Sequence, residues 1–503
     1  MAMISRLQRN IKHVVVLMLE NRSADNLIGW LYDDKTTPDH FFPTGSPKSY
    51  NGLHGANYGN PLNLSDPSTF IKATKGVSNF QVPNPDPNEY FKNMNQQLFG
   101  LDIDKSTKGW LPCPEYCKAN MQGFLYDYST AKHSSKKIAP QIMGTYTSKN
   151  LSLMSGLAKS YAVSDNYHAS CPTQTLPNRS FMHAGTSLGR VNNYPYLPYA
   201  VPTIFNAFED AGYSWGVYNP SEIIPSLTLM QMTHLWDPLL EGRFHSVSQF
   251  IKDCASGSLP DYSFLEPSFF FDIGTAPTSE HPPFNVCAGD HYLEVIWQAI
   301  SSSPAFSETL FIVNFDEHGG CPDHVPPNWT AIAPDAKSKP GNLGFKFNRY
   351  GVRVPAIFVS PHIRSKTVFR ASEDPWSDES RPYDHTSILA MLLDWKNIPR
   401  SALKSERVNS EPKHPFDELI ENDCRTDVPV LAASCHLNTP TDAGCLTSLQ
   451  KSIIVLALAY FRWHSGATTS ADPRMEQKAI ADLLSGVKTE ADVIKYFEQL
   501  KHI

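Results

Sequence analysis

The chain has 503 residues, of which 41% are hydrophobic and 18% charged, so it is long enough for a large buried core and one or two domains. Its net charge of −7 argues against a nucleic-acid-binding protein, which would favour a basic surface. No segment reaches the roughly 18 apolar residues needed to cross a bilayer. The nearest approach, residues 452–461, is about half that length and predicts a buried helix.

The first strand is predicted at residues 14–19, an apolar run of Val, Leu and Met that is too short for a membrane helix. Glu20 and Asn21 follow it directly, and Asp25 comes soon after in a position that looks exposed. Open α/β folds bind their ligands at the carboxyl edge of the sheet, so these polar side chains are candidates for a site. The alternative is an Asx turn in which Ser23 or Asp25 caps the next helix.

Long loops are predicted after this strand. Residues 31–128 are rich in Asn, Pro, Gly and Asp and show little periodicity, which indicates insertions able to form a lid or substrate wall. Aromatic and apolar side chains in two later loops could supply a lipid-facing wall, with core or loop packing as the alternative. These side chains are Tyr194, Tyr196, Leu197, Tyr199 and residues 269–271.

A candidate nucleophile lies in the segment TLPNR. Thr175 is followed by Pro177, which fixes the local backbone and so restricts where the hydroxyl points. Arg179 offers a planar fork of donors suited to phosphate oxygens, and Asn178 offers a neutral donor. The alternative is an ordinary turn with a surface arginine.

A second apolar run, residues 310–315, predicts another buried strand, and Asp316 and Glu317 follow it. Adjacent carboxylates repel each other unless a cation holds them. The same loop continues with His318, Asp323 and His324. Oxygen-rich ligands with imidazole nearby suit a hard or borderline divalent ion. The two interpretations are a metal site assembled from two strand ends and a solvated surface loop.

The chain is predicted to have two parts. Residues 1–432 contain every motif and form one α/β catalytic domain, with a further strand near Ile357. Residues 433–503 have a helical pattern and are predicted to pack on that domain.

The cellular compartment is left open by the sequence. MAMISRLQRN contains no apolar segment of the kind found in secretory signals, so we expect a soluble protein that is cytoplasmic as encoded, or secreted if a signal was removed. Nine cysteines leave at least one thiol free if the others pair. Those that could form bridges in an oxidising compartment are Cys113, Cys117, Cys424, Cys435 and Cys445.

Four blocks along the chain resemble one known family. ENRSADNLIG (residues 20–29), TLPNR (175–179), DEHGGCPDHV (316–325) and GVRVPAIFVSP (351–361) are similar, in the same order, to motifs of a phosphoesterase family. That family contains bacterial and plant non-specific phospholipases C and related acid phosphatases. The resemblance implies an α/β fold like that of the alkaline-phosphatase superfamily, a mainly parallel sheet between helix layers, here with a small helical C-terminal region.

The resemblance also implies roles for individual residues. It makes Glu20, Asn21, Asp316 and Glu317 the shell of one divalent metal ion, whose identity it leaves open. It makes Thr175 the nucleophile. It places His281 facing the phosphate, matches His324 to the histidine of its DHV block and brings Glu89 to the pocket. In the expected mechanism Asn178 and Arg179 contact the phosphate and either His324 or His281 protonates the departing alcohol, with Asp323 and His318 as further pocket candidates.

This chain departs from the family pattern at three positions. Ala24 replaces an aromatic residue, and Asn285 replaces an aspartate. Glu89 stands where the family has an active-site histidine. An acid near a phosphate is unfavourable unless it binds metal or is neutralised. The alternative is a shifted alignment, in which Glu89 merely caps a helix at the surface.

The predicted function is that of a metal-assisted phosphoesterase with a covalent phosphothreonine intermediate, most simply a phospholipase C. The alternatives are a broad-specificity acid phosphatase and a repurposed member with an altered substrate. The expected partners are a phospholipid or small phosphoester substrate, with transient contact at a membrane surface and no nucleic acid.

Overall fold

In the computed structural model of the protein, the described residues are 4–100, 117–271, 276–437, 446–466, 482, 486, 487 and 489–500. The strands are β1 His13–Leu19, β2 His40–Phe42, β3 Gly59–Pro61, β4 Phe70–Lys72, β5 Thr74–Lys75, β6 Gly144–Thr145, β7 Ala162–Ser164, β8 Trp215–Asn219, β9 Phe244–Ser246, β10 Tyr262–Leu265, β11 Thr309–Phe315, β12 Ala356–Val359 and β13 Thr367–Phe369. The helices are α1 Arg6–Asn10, α2 Ala24–Ile28, α3 Phe91–Phe99, α4 Phe124–Ser129, α5 Ser152–Ser160, α6 Thr175–Ala184, α7 Ile204–Asp210, α8 Leu227–Gln231, α9 Val247–Ser256, α10 Val286–Ser301, α11 His385–Trp395, α12 Glu406–Asn409, α13 Ser448–His464 and α14 Glu490–Leu500.

A sheet of nine strands, in the order β2-β13-β7-β12-β11-β1-β10-β8-β9, runs through the described chain. All of its pairs are parallel except those that β12 makes with β11 and β7, so β12 alone runs against the others. The two central strands β1 and β11 are buried along almost their whole length, as their continuous apolar runs predict. The predicted mainly parallel sheet is therefore confirmed.

Helices pack around this sheet in two groups. One group contains α5, α9 and α10: α10 contacts the other two helices, α5 contacts β7 and β12, and α9 contacts β8 and β9. The other contains α6, α7, α8 and α11, with α6 in contact with each of the other three. Because α6 starts with Thr175, this second group holds the candidate nucleophile against the sheet.

The long loops between β1 and α5 form a smaller core of their own beside the sheet. Apolar side chains of α3 and α4, including Leu98, Phe124 and Tyr128, are fully buried there. The start of α3 follows Glu89 directly, so this insertion carries Glu89 and Asp86 towards the sheet. Residues 101–116 lie outside the described residues.

The described C-terminal helices are in contact with the sheet domain. Nε2 of Gln450 in α13 donates to the carbonyl oxygen of Phe269 at 2.9 Å, and Nε2 of Gln174 donates to Oγ of Ser448 at 3.4 Å. Apolar residues of α14, such as Phe497, belong to the same core as the strands. The division into residues 1–432 and 433–503 stays a prediction. Within the described part of the chain, no helix is both long enough and apolar enough to cross a membrane.

One disulfide joins the C-terminal part to the sheet domain. Cys435, one of the cysteines expected to form a bridge, pairs with Cys287 at the start of α10. Cys287 was not among the expected partners. The two cysteines are separated by 148 positions, so no local spacing indicates the bridge. Cys424 is an exposed thiol, and Cys113 and Cys445 lie outside the described residues.

Candidate active site

Two strand ends meet at the centre of the sheet. Because β1 and β11 are parallel neighbours whose last residues pair in register, the residues that follow them emerge side by side. The backbone N–H of Asn21 donates to Oδ1 of Asp316 at 2.9 Å, and Nδ2 of Asn21 donates to Oε1 of Glu317 at 2.8 Å. Asn21 has a φ of 53°, in the left-handed region that asparagine tolerates better than most residues. The predicted shell of Glu20, Asn21, Asp316 and Glu317 is therefore brought together.

The carboxylates of this shell are buried and crowded. Glu20, Asp316 and Glu317 have no exposed surface. Burial raises the pKa of Glu20 well above its usual range; the charge of Arg179 opposes this shift, and that of Asp316 adds to it. Burial also raises the pKa of Glu317, and the charge of Glu89 raises it further. Such a group of acids is stable in the ionised form only beside cations.

The same residues fit a divalent metal ion. Oε2 of Glu20 and Oδ2 of Asp316 are buried and have no hydrogen-bond partner among the described residues. Buried polar atoms are otherwise nearly always hydrogen-bonded. Carboxylate and amide oxygens are ligands that hard and borderline divalent ions accept. Glu20, Asn21, Asp316 and Glu317 thus form a donor set of the right chemistry.

Thr175 is the first residue of α6 and faces this shell. Its hydroxyl donates to Oδ1 of Asn21 at 3.1 Å, and the residue is fully buried. The helix can start here because Pro177 is tolerated in a first turn, and Oδ1 of Asn193 accepts the backbone N–H of Leu176 at 2.9 Å. The helix N-terminus favours negative charge on groups near it. The hydroxyl therefore lies where an alkoxide would be stabilised.

Arg179 lies one turn further along α6, on the same face as Thr175. Its Nε donates to Oε1 of Glu20 at 2.6 Å, its Nη2 contacts the same oxygen, and its guanidinium stands 5.3 Å from the centre of the Phe269 ring. Both Arg179 and Glu20 are fully buried. Nη1 of Arg179 is buried and has no hydrogen-bond partner among the described residues, so it is the part of the fork that remains for an anion.

Asn178 is turned away from the shell. Its Nδ2 donates to the backbone oxygens of Cys171, Thr173 and Gln174 at 2.9–3.2 Å, and its Oδ1 accepts the N–H of Cys171 at 3.1 Å. The side chain is used to hold the loop before Thr175 in place. The expected contact of Asn178 with phosphate is corrected accordingly.

Glu89 is buried beside the shell. Only 3% of the residue is exposed, and its Oε1 accepts from Nδ2 of Asn21 at 2.8 Å. Nε2 of His281 lies 3.4 Å from the same oxygen. The cap of α3 is Tyr90, without a side-chain hydrogen bond, so Glu89 is not a surface helix cap. The histidine position of the family pattern is thus occupied by an acid within the site.

The loop after β11 supplies one more neighbour of the shell. Nδ1 of His318 lies 3.5 Å from Oε2 of Glu317, while its Nε2 is 2.8 Å from Oε1 of Gln97. His318 is buried, which lowers its pKa to about 3. This histidine is therefore neutral, and because its Nε2 is bonded to Gln97 it presents an acceptor nitrogen to Glu317.

Asp323 and His324 belong to a separate charged cluster. Nδ1 of His324 lies 2.6 Å from Oδ2 of Asp25, and its Nε2 lies 2.9 Å from Oδ1 of Asn51. Asp323 accepts from Nε of Arg353 at 3.0 Å. None of the contacts given for these two residues in the described chain reaches Thr175. The roles of His324 in proton transfer and of Asp323 in the pocket stay predictions, while these bonds tie both side chains to Asp25 and Arg353.

Asp25 and Arg353 are the residues that organise this cluster; Asp25 was predicted as an exposed-looking candidate at the sheet edge, and Arg353 was not singled out. Asp25 looks exposed in the sequence but is only 1% exposed. Burial alone would raise its pKa, but the charges of His324 and Arg353 hold the pKa below its usual value. The available signal was their position, since Asp25 and Arg353 both lie inside blocks that resemble the family.

Comparisons with known proteins agree with the geometry. The model of the phosphoesterase family matches residues 11–399 of this chain. Non-specific phospholipase C4 of Arabidopsis thaliana is 32% identical over 389 residues, which cover 76% of this chain and 67% of that protein. Phospholipase C B of Mycobacterium tuberculosis is 27% identical over 429 residues, which cover 78% of this chain and 74% of that protein.

Among solved structures, a protein in the alkaline phosphatase superfamily from Vibrio parahaemolyticus aligns with a TM-score of 0.30 and 12% sequence identity. The alignment covers 53% of this chain and 65% of that chain.

Proposed function

This chain belongs to the phosphoesterase family of hydrolases, and we propose that it cleaves phospholipid phosphodiesters as a phospholipase C. The observation that carries the proposal is the hydrogen bond from the Thr175 hydroxyl to Asn21, whose amide also contacts Glu317. A hydroxyl nucleophile thus lies against carboxylates that suit a metal ion. The similarity to phospholipases C of a plant and a mycobacterium supports the same reaction.

The residues that would hold one divalent metal ion are Glu20, Asn21, Asp316 and Glu317. When bound, such an ion lowers the pKa of an adjacent hydroxyl and offsets negative charge on a phosphoryl group. Asn21 links the two functions, because one amide contacts both Thr175 and Glu317.

Thr175 acts as the nucleophile in this proposal. Its hydroxyl releases its proton, and Oγ1 forms a bond to phosphorus while the bond from phosphorus to the glycerol oxygen breaks. The diacylglycerol leaves with the electron pair and takes up one proton, so the protons balance. The product is a phosphothreonine that still carries the head group. Water then cleaves the bond between phosphorus and Oγ1 and releases the phosphorylated head group. The N-terminus of α6 stabilises the charge that develops near it.

Arg179 contributes positive charge at the same place. Its Nε and Nη2 are held by Glu20, and Nη1 is the remaining donor. We propose that Nη1 donates to an equatorial phosphate oxygen, where a preorganised charge in a dry site has its largest effect. The stacking of the guanidinium near Phe269 keeps the fork in one orientation.

His281 is linked to Thr175 through Glu89 and Asn21, since its Nε2 lies 3.4 Å from Oε1 of Glu89. Its Nδ1 is hydrogen-bonded to the carbonyl oxygen of Pro282, and burial lowers its pKa to about 4. A neutral ring whose Nδ1 carries the proton presents Nε2 as an acceptor, so it is poorly suited to protonate a departing alcohol at neutral pH. Another group has to offset the charge of the leaving oxygen.

Apolar surface near the site supports a lipid substrate. A small cavity lined by Leu227, Phe269, Phe271 and Ile453 lies next to the Arg179 contact. Phe269 is itself buried, so at this position the expected lipid-facing wall is instead part of the packed interior. In the other expected segment Tyr199 is buried, whereas Tyr194 and Leu197 are 52% and 41% exposed. We propose that this exposed pair touches the membrane surface transiently.

The proposal is tested with a substrate panel of phosphatidylcholine vesicles, p-nitrophenyl phosphorylcholine and p-nitrophenyl phosphate, each with and without a chelator. We expect turnover of both diesters, little turnover of the monoester, and loss of activity with chelator. Thr175→Ala should abolish turnover in a folded protein, and Thr175→Ser should retain part of it. Turnover of the monoester alone would instead indicate an acid phosphatase.

A further inference from the structure

A second group of possible metal ligands lies next to the shell around Asn21. Asp86, Glu89 and His281, which we call the acid–imidazole cluster, each offer a ligand atom, and these atoms all lie within 4.8 Å of one another. Nε2 of His281 is 3.4 Å from Oε1 of Glu89, and Oδ1 of Asp86 is 3.7 Å from the other nitrogen of the same ring. Ligand atoms of three side chains from two loops thus lie within reach of a single ion.

One atom of each residue in this cluster is buried without a hydrogen-bond partner among the described residues. Only 1% of His281 and 3% of Glu89 is exposed. Nε2 of His281 and Oε2 of Glu89 have no hydrogen-bond partner among the described residues, and the same holds for Oδ1 of Asp86. An unpartnered buried nitrogen in a native site calls for a ligand, a water molecule or an ion.

The tautomer of His281 favours an ion. Because Nδ1 is bonded to the carbonyl oxygen of Pro282, that nitrogen carries the ring proton and Nε2 holds a lone pair. This lone pair faces Oε1 of Glu89, which is also an acceptor and already accepts a hydrogen bond from Nδ2 of Asn21. Two acceptors that face each other repel unless a cation or a proton lies between them.

The charge around Thr175 points in the same direction. Four buried acids surround it, namely Glu20, Glu89, Asp316 and Glu317. Arg179 and one divalent ion would balance three of these four negative charges. An anionic phosphodiester would then approach a site that is still negative. Asp86 is a fifth acid, and Arg179 with two divalent ions would balance all five charges, so a second ion would remove the net negative charge that repels an anionic substrate.

We propose that Asp86, Glu89 and His281 bind a second divalent metal ion beside the one expected at Glu20, Asn21, Asp316 and Glu317. Two carboxylates and one imidazole suit Mn²⁺ or Zn²⁺. Ligand atoms about 2.0–2.2 Å from an ion lie roughly 3–4 Å apart, and the distance of 3.4 Å between His281 and Glu89 agrees with this.

This site explains why an acid stands at position 89. Nδ2 of Asn21 donates to both Glu89 and Glu317, so the acid–imidazole cluster lies directly beside the residues expected to hold the first ion. Paired ions in phosphoesterases stabilise both the attacking and the leaving oxygen. The second ion would therefore supply the charge that neither His281 nor His324 offers to the leaving alcohol.

The test counts metal ions and does not depend on activity, so its failure is distinct from a failure of the proposed phospholipase function. The full chain is stripped with chelator, dialysed to equilibrium against Mn²⁺, and the Mn²⁺ per chain is measured by atomic emission. We expect two ions per chain in the wild type and one in Glu89→Gln, which has the same shape without the charge. Asp86→Asn, at a partly exposed position, should also lose one ion and serves if Glu89→Gln does not fold.

The matched control is Glu411→Gln, which removes a buried carboxylate whose partners Ser387 and Arg381 lie outside both sites. It should keep two ions. A wild type that binds one ion would overturn the proposal, as would a Glu89 variant that keeps the wild-type count. A folded Glu89 variant that loses both ions would also overturn it, because the two sites would then not be separate.

Discussion

The cluster around Arg353 gives the sharpest prediction on stability. Arg353 donates to Asp323 through Nε at 3.0 Å and through Nη2 at 3.2 Å, and to Asp25 through Nη2 at 3.0 Å. Its Nη1 donates to the backbone oxygens of Asn51 and Asp165 at 2.8 and 2.7 Å. Every nitrogen of the guanidinium is therefore used inside the protein, and the side chain is 1% exposed.

The substitution Arg353→Met would keep most of the volume and remove the charge. Two buried carboxylates, Asp25 and Asp323, would remain with His324 as their only close basic partner among these contacts. Removing one partner of a buried ion pair costs about 3–5 kcal/mol. We expect a loss of unfolding free energy in this range. Arg353→Lys keeps the charge but loses the fork, so its cost should be smaller, about 1–3 kcal/mol.

The assay is equilibrium unfolding in urea at pH 7 with a fixed Mn²⁺ concentration. The matched control is Lys118→Met, which breaks an exposed ion pair with Asp378 and should leave the midpoint unchanged. A cost below about 1 kcal/mol for Arg353→Met would refute the structural role of this cluster. The assignment of His324 to that cluster would then also have to be abandoned.

Three further predictions concern Glu411, the exposed pair Tyr194 and Leu197, and the bridge between Cys287 and Cys435. Burial raises the pKa of Glu411 to about 7, so the folded state holds this proton more tightly than the unfolded state does. The stability that Glu411 contributes should therefore be fully present at low pH and be lost as the pH rises from about 4.3 to 7. Glu411→Gln should flatten this part of the pH dependence in urea titrations, and an unchanged slope would contradict the prediction. Tyr194→Ala combined with Leu197→Ser should lower the rate on phosphatidylcholine vesicles and leave the rate on p-nitrophenyl phosphorylcholine unchanged; equal losses on both would exclude a surface role. Replacing Cys287 by Ser should cost about 2–5 kcal/mol under oxidising conditions and nothing under reduction, because the bridge to Cys435 closes a long loop; the same cost in both conditions would point to packing instead.

The strand ends of the site could be predicted because their signal is local. Each apolar run, before Glu20 and before Asp316, is long enough for one buried strand, and the polar residues follow immediately. Parallel pairing of β1 and β11 then brings the two ends together without further information. The choice of Thr175 came from the resemblance of TLPNR to a block of the family, because Pro177 by itself only restricts the backbone at the start of α6.

The charged cluster of His324, Asp25 and Arg353 could not be predicted, because it depends on contacts between distant parts of the chain. His324 meets Asp25 across 299 residues, and Arg353 meets Asp25 across 328. No local pattern shows that these charges neutralise one another instead of facing the substrate. The predicted phosphate contact of Asn178 was wrong for a local reason. Its partners lie only four to seven residues away, and the sequence alone does not show whether the amide binds this loop or points into the site.

The central claim is that Thr175 carries the phosphoryl group during turnover, and rapid-quench peptide mass spectrometry tests it most directly. The enzyme is mixed with p-nitrophenyl phosphorylcholine in the presence of Mn²⁺, quenched in acid within the first turnover and digested. We predict that the peptide containing Thr175 gains the mass of a phosphocholine group, and that this adduct is absent from a folded Thr175→Ala variant. An adduct on another residue, or full turnover by the alanine variant, would contradict the account.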